Sequence, residues 1–167
     1  MPLRQVAKKA RIRDLVSGEW VKEEGMKPSY VLTGYGDMVA RARIMAVVVS
    51  KFINEEKTYA SITLDDGSDT IRAKFFENAN MVESLNPGDV VDVIGRVREY
   101  DGEIYLIPEV VRRVKDANEQ SVRMLEIAYR IKLFEKARQL IEEHAGEFET
   151  REEMEMFLKK KGIEKDV

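Results

Sequence analysis

Residues 57–76 read KTYASITLDDGSDTIRAKFF. In the first half Ala60, Ile62 and Leu64 alternate with Tyr59, Ser61 and Thr63. After the turn residues Asp65, Asp66, Gly67, Ser68 and Asp69, Ile71, Ala73 and Phe75 alternate with Arg72, Lys74 and Phe76. A period of two on both sides of an Asp/Gly-rich turn predicts an antiparallel hairpin with one face in a core and one in water.

Upstream, residues 39–53 are rich in Val, Ile and Ala without Pro or Gly, with Arg41 and Arg43 outward of Ala42 and Ile44. Downstream, residues 78–85 place Met81, Val82 and Leu85 at helical spacing before the stop Asn86-Pro87-Gly88-Asp89. Two further strands, 90–99 and 103–114, flank the tight reversal Tyr100-Asp101-Gly102. Pro108 places the last strand at an edge or a bulge. Three strands, a short helix and two strands is the order of an OB-fold, a five-stranded Greek-key barrel whose sheet face and loops hold oligonucleotides.

Past residue 116 the period becomes 3.6. Met124, Ile127, Ile131, Phe134, Ala137, Ile141 and Ala145 recur at steps of three or four, predicting a helix over 118–145, about 42 Å long at 1.5 Å per residue. A helix of that length outreaches a small barrel. Burial of its large side chains, about 1.5–3 kcal/mol each, favours a bundle with other chains over packing on its own barrel alone. Thr150 to Glu153 form a capping box opening a short helix over 150–162. The expected class is therefore mainly β with C-terminal α. Residues 1–38 are a basic N-terminal arm and lead-in, 39–115 the OB-fold barrel, 118–145 an oligomerisation helix and 150–162 a short helix.

Of 167 residues 35% are charged, yet the net charge is only -3. Residues 1–17 carry +4, 18–38 carry -2, 39–115 carry -2 and 116–167 carry -3. That distribution argues against a uniformly basic coat protein and against a disordered acidic tail. The basic first segment reads as a solvated terminus, with contact to a polyanion or acidic partner as the alternative. The absence of cysteine rules out disulfides, thiolate metal sites and cysteine nucleophiles, and a lone His144 argues against histidine zinc sites and a Ser-His-Asp triad. No apolar run approaches the roughly 20 residues that span a bilayer, and the N-terminus lacks a signal peptide's apolar core. An intracellular, soluble protein with no membrane partner is the expectation.

Three constellations carry chemistry. Tyr59, Arg72, Lys74 and Phe76 on the hairpin share the parity of an outward face with Arg96, Arg98 and Tyr100 on the fourth strand. Cations for phosphates and flat rings for bases are what a single strand needs. The competing reading is an ordinary solvated face, with Tyr59 and Phe76 closing the barrel's end. The turn carboxylates Asp65, Asp66 and Asp69 lack the spacing of a calcium loop, and a hairpin turn of this composition needs no metal. Gly34-Tyr35-Gly36 reads as a turn before the barrel, and His144 as a cation at a helix C-terminus. The helical stripe is the third constellation.

In sequence, Arg11-Ile12-Arg13-Asp14-Leu15, residues 61–67, Ile71-Arg72-Ala73-Lys74-Phe75-Phe76, residues 91–100 and the helix straight after the barrel resemble the middle subunit of replication protein A in its archaeal form. This is a heterotrimeric single-stranded-DNA-binding protein of archaea and eukaryotes. The resemblance covers roughly residues 11–145. It implies a non-enzymatic, cytoplasmic, nucleoid-associated subunit without cofactor or metal that coats and protects single-stranded DNA in replication, repair and recombination. Phosphate contacts are expected from Arg41, Arg43, Lys57, Arg72, Lys74, Arg96 and Arg98, and base stacking from Tyr59, Phe76 and Tyr100. The family's third-strand aromatic falls near Lys74 to Phe76, where strict register gives Lys74 and the nearest outward ring is Phe76.

The implied partners are the large and small subunits, joined in a three-helix bundle through Met124, Ile127, Ala128, Ile131, Phe134 and Ile141, and other replication and repair proteins. Family members continue into a winged-helix domain, so the chain is expected to be a core fragment or shortened member, with residues 150–162 as the start of that region or of a linker. The alternatives are a mainly structural assembly subunit, an RNA-binding OB-fold, and, least favoured, a magnesium-dependent nuclease built on Asp65, Asp66 and Asp69.

Overall fold

In the computed structural model, which describes residues 5–76 and 78–163, the alternating run becomes the centre of a closed barrel. The elements are β1 (Lys8–Lys9), α1 (Ile12–Val16), β2 (Glu19–Val21), β3 (Tyr30–Leu32), β4 (Met38–Val39), β5 (Arg41–Ile53), β6 (Tyr59–Asp65) and β7 (Thr70–Phe76). A single 3-10 turn (Ala79–Val82) leads to β8 (Val90–Tyr100) and β9 (Glu103–Arg113), followed by the helices α2 (Ala117–Glu143) and α3 (Arg151–Lys160). The barrel runs β5-β6-β7-β9-β8 and closes by antiparallel pairing of β5 with β8; β7 and β9 are parallel. This is the five-stranded OB topology, with the long helix and a shorter one after it.

The inward residues are those the alternation selects. Ala60, Ile62, Leu64, Ile71, Ala73 and Phe75 are all at most 2% exposed, and Ile44, Val48, Val93, Val97 and Leu106 join them. Ala79, Val82 and Leu85 of the segment between β7 and β8 plug one end. Asp101 and Gly102 both take positive φ, 52° and 79°, as a two-residue reversal requires.

Two bulges modify the simple alternation. In β5, Val48 pairs with Leu64 and Ser50 with Thr63, leaving Val49 as an extra residue. Ser50 and Phe52 therefore turn outward where the unbroken pattern would put them inside. In β9 the register jumps from Ile94↔Val110 to Gly95↔Pro108, so Glu109 is the extra residue. Pro108 thus marks a bulge, and β9 lies between β7 and β8 instead of at an edge. Gly95 is required there: a Cβ on it would lie 2.7 Å from the carbonyl oxygen of Ile107.

The segment expected as a solvated arm is built into the fold. β1 pairs in parallel with β5, Ala10, Ile12 and Leu15 are buried, and the α1 backbone is pinned by Asp66, whose Oδ2 accepts from the Ile12 amide at 2.8 Å. Arg4 of that segment lies outside the described residues. β2, β3 and β4 form a separate three-stranded sheet against the barrel's flank.

Candidate nucleic-acid interface

The outward face of the barrel is organised by register. Across β6-β7-β9-β8, Thr63 pairs with Arg72, Arg72 with Tyr105 and Tyr105 with Arg98, forming one row. Two residues further along β8 and β9 the row is Ile107, Arg96 and, on β5, Arg41. Four residues on from Arg72 along β7, Tyr59 pairs with Phe76, and the rings of Phe52, Tyr59 and Phe76 make a tilted cluster with centroid distances of 6.3 and 5.5 Å. Phe52 and Phe76 are half exposed and Tyr100, at the β8–β9 turn, is 73% exposed. Three exposed or edge-exposed ring systems thus border a central field of cations.

The cations differ in how far they are committed. Lys74 Nζ sits 2.9 Å from Glu103 Oε2 and 4.1 Å above the Tyr105 ring, and Arg72 Nε lies 3.4 Å from the same carboxylate. Arg41 donates to Glu109 at 2.7 Å, with Arg96 Nε 3.5 Å from that group. Lys57, in the β5–β6 loop with φ 55°, pairs with Glu83 at 3.0 Å. Arg98 is different. Among the described residues it has no carboxylate partner, only its own strand's Val97 carbonyl at 2.8 Å. Burial and then the charge of Arg96 lower its pKa; a guanidinium still stays protonated at any physiological pH. A half-desolvated, unneutralised cation beside another is a site that gains from a phosphate.

Arg43 does not belong to this field. Its guanidinium donates to Asp92 at 3.0 and 3.1 Å, and Asp92, 3% exposed, also receives Arg123 of α2 at 3.2 Å and Arg112 at 3.4 Å. Burial works to raise the Asp92 pKa, but hydrogen bonds from Arg43 and Arg123 and their charges outweigh it, leaving the carboxyl below its ordinary value. α2 covers this end of the outward face. Arg43 is therefore reassigned from phosphate contact to fastening the helix.

The turn carboxylates are likewise occupied by backbone. Asp65 accepts from Gly67 N at 2.7 Å, Asp66 from Ser68 N at 2.9 Å, and Asp69 from Thr70 N at 2.7 Å. Their oxygens hold the turn and α1, not a converging cage. His144 packs its ring 4.7 Å from Phe157 of α3, with Nδ1 3.0 Å from the Leu140 carbonyl.

On α2 the predicted interface residues divide. Ile127 is buried on its own barrel, Ile131 is half-buried, Phe134 stacks on Tyr35 at 5.4 Å, and Ile141 lines a groove beside α3. Met124 and Ala128 are exposed, and with them Val122, Leu125 and Tyr129 form an apolar face on the side away from the barrel. Sequence reading missed Val122, Leu125 and Tyr129, along with Phe52 and Tyr105. Tyr105 shares the outward parity of Glu103 and Ile107 and was legible; Phe52 is outward only because of the bulge at Val49.

Residues 42–114 match the family described as an OB-fold nucleic acid binding domain. The span is the barrel itself. The matched span and the closed barrel agree on the OB fold. This OB domain is homologous to that of replication protein A subunit 2. The chain is 28% identical over 102 residues to the Schizosaccharomyces pombe protein named replication factor A protein 2, covering 60% of this chain. It is 36% identical over 86 residues to the uncharacterised protein MJ1654 of Methanocaldococcus jannaschii, covering 52%. In each case the match spans 37% of the relative's length.

Among solved structures, a chain of a replication protein A heterotrimer bound to single-stranded DNA superposes with TM-score 0.63 at 18% identity, over 78% of this chain and 98% of that one. A chain of the S. pombe Stn1-Ten1 complex gives TM-score 0.56 at 22% identity, over 63% and 81%. At these identities the likeness is one of fold. Among the described residues no helix is long and apolar enough to cross a membrane.

Proposed function

We propose that this chain is a single-stranded-DNA-binding subunit of a replication protein A type heterotrimer, non-enzymatic, and acting at the nucleoid in replication, repair and recombination. The observation that carries the reading is Arg98: a half-desolvated guanidinium without a carboxylate, beside Arg96, in a row with Tyr105 and below the exposed Tyr100. A phosphate on Arg96 and Arg98 would bring flanking bases to Tyr100 and Tyr105 on one side and to Phe52, Tyr59 and Phe76 on the other. Stacking is sequence-tolerant because every base has a π-face, so the site suits coating rather than base-specific readout. Glu103 and Glu109 neutralise part of the field in the free protein and compete with phosphates, which keeps the affinity of the single chain low. The homology to replication protein A subunit 2 supports the same reading.

The exposed face of α2, Met124, Leu125, Ala128 and Tyr129 with Val122, supports assembly with helices of two further subunits. An exposed cluster of this kind on an otherwise charged helix marks an interaction surface.

The test is fluorescence anisotropy of labelled oligo-dT with the wild type and with Arg98→Ala and Tyr100→Ala across a salt series. The expected result is binding that weakens linearly in log salt, with each variant several-fold weaker and the Arg98→Ala slope shallower by about 0.7 for one lost phosphate contact to a single strand. Unchanged affinity in both variants would exclude this face. Tighter binding of oligo-rU than of oligo-dT would turn the assignment to RNA.

A further inference from the structure

Beside β5, the small sheet and the N-terminal segment enclose a cleft of about 430 Å3 that the barrel face does not include. Its walls are Val6, Lys8, Lys27, Tyr30, Met38 and Arg41. This is within the roughly 300–1,000 Å3 of small-ligand sites, and the mixture of apolar walls, a tyrosine ring and cations is chemically suited to a nucleotide. We infer that this cleft holds one further nucleotide of a strand lying on the barrel face, so that the nucleic-acid track continues over Arg41 onto the β2-β3-β4 sheet. The inference rests on the binding reading above and extends it to a site outside the barrel.

Continuity comes from Arg41. It faces Arg96 across the β5–β8 pairing, shares Glu109 with it, and donates through Nη1 to the Gln5 carbonyl at 3.1 Å, so it belongs to the cationic row and to the cleft wall at once. The next phosphate beyond Arg96 and Arg41 meets Lys27, which is exposed and has no ion-pair partner among the described residues. Lys8 contributes a second positive wall; its Nζ is anchored by the buried Asp37, which also takes Arg130 of α2 at 3.0 Å. Of the cations lining the cleft, Lys8 is paired with Asp37 and Arg41 with Glu109, so its free positive charge is that of Lys27, and Glu23 is the one acid in the lining. Tyr30, half-buried in β3, and the exposed Met38 of β4 provide a flat ring and a polarisable thioether for a base.

The experiment is an oligo-dT length series, from strands that span only the barrel face to strands several nucleotides longer, titrated against the full chain and the surface variants Lys27→Glu and Met38→Glu, with Arg98→Ala alongside. Both cleft variants should leave the affinity of the shortest binding strands unchanged and lower that of the longer ones about threefold or more. The salt slope of Lys27→Glu on long strands should fall by about 0.7. Arg98→Ala should weaken all lengths. Cleft variants that match wild type at every length, or that weaken all lengths equally through charge alone, overturn the inference while the Arg98→Ala loss keeps the barrel-face reading. If Arg98→Ala has no effect and wild type does not bind, the functional reading itself fails, and the extension with it.

Discussion

Asp92 is the residue on which the outward face divides. It sits near the start of β8 with outward parity, a position where a lone carboxylate would ordinarily be solvated, yet it is buried beneath α2 by Arg43, Arg112 and Arg123. Removing one partner of a buried ion pair costs on the order of 3 kcal/mol because the other charge is left stranded. Arg123, buried and with Glu126 as its other carboxylate, 3.4 Å from its Nε, is the charge that Asp92→Asn would leave least compensated. The native carboxyl has a lowered pKa, so its stabilisation is fully present above the unfolded carboxylate value of about 3.9 and is lost as pH falls through the folded value. Urea unfolding of Asp92→Asn should show a loss of about that size at pH 7 and a shallower fall in stability between pH 5 and 2 than the wild type. Equal stability and an unchanged acid profile would remove Asp92 from the account. No periodicity in the sequence marks Asp92 as different from the equally outward Glu103, because the identity of its partners depends on where α2 comes to rest.

At the scale of elements, the barrel was legible and the helix only partly so. Strand alternation names its own faces: the inward sets of β6 and β7 are the ones a period of two selects, and the Asp-Gly reversal lies where the sequence puts it. A bulge has no comparable signal, so Phe52 was missed. In α2 the apolar residues run on both sides of the helix, and the expected interface set mixed the two: Ile127, Ile131, Phe134 and Ile141 are wholly or partly covered by this chain itself, whereas Met124 and Ala128 are exposed. The second stripe, around Leu125 and Tyr129, is left exposed, and under the proposed assembly it is the face that other chains cover. Leu125→Asp with Tyr129→Asp should abolish co-purification with co-expressed partner subunits. Because both positions are exposed, the stability of the isolated chain should move by no more than about 0.5 kcal/mol per site. An intact complex from that double variant would sink the assignment of this face, whereas Ile127→Asp should destabilise the chain itself.

For the molecule as a whole, the near-cancelling charge is an arrangement, not an average. Three of the N-terminal cations behind the +4 of residues 1–17 are drawn into the structure, Lys8 to Asp37, Lys9 to Glu126 and Arg11 to Asp14, and the Lys9 pair ties that segment to α2. On the barrel face and cleft, the cations without a carboxylate partner among the described residues are Arg98 and, past Arg41, Lys27. That distribution agrees with the proposal of a weakly binding chain whose affinity is completed by partner subunits. The most direct measurement is an amide NMR titration of the isotope-labelled chain with oligo-dT. The account predicts shifts concentrated in β6, β7, β8 and β9 around Arg72, Arg98, Tyr100 and Tyr105, reaching Phe52 and Phe76, with the covered strand ends near Asp92 unmoved. Saturating oligo-dT that moves only α2 and α3, or moves nothing, would contradict it.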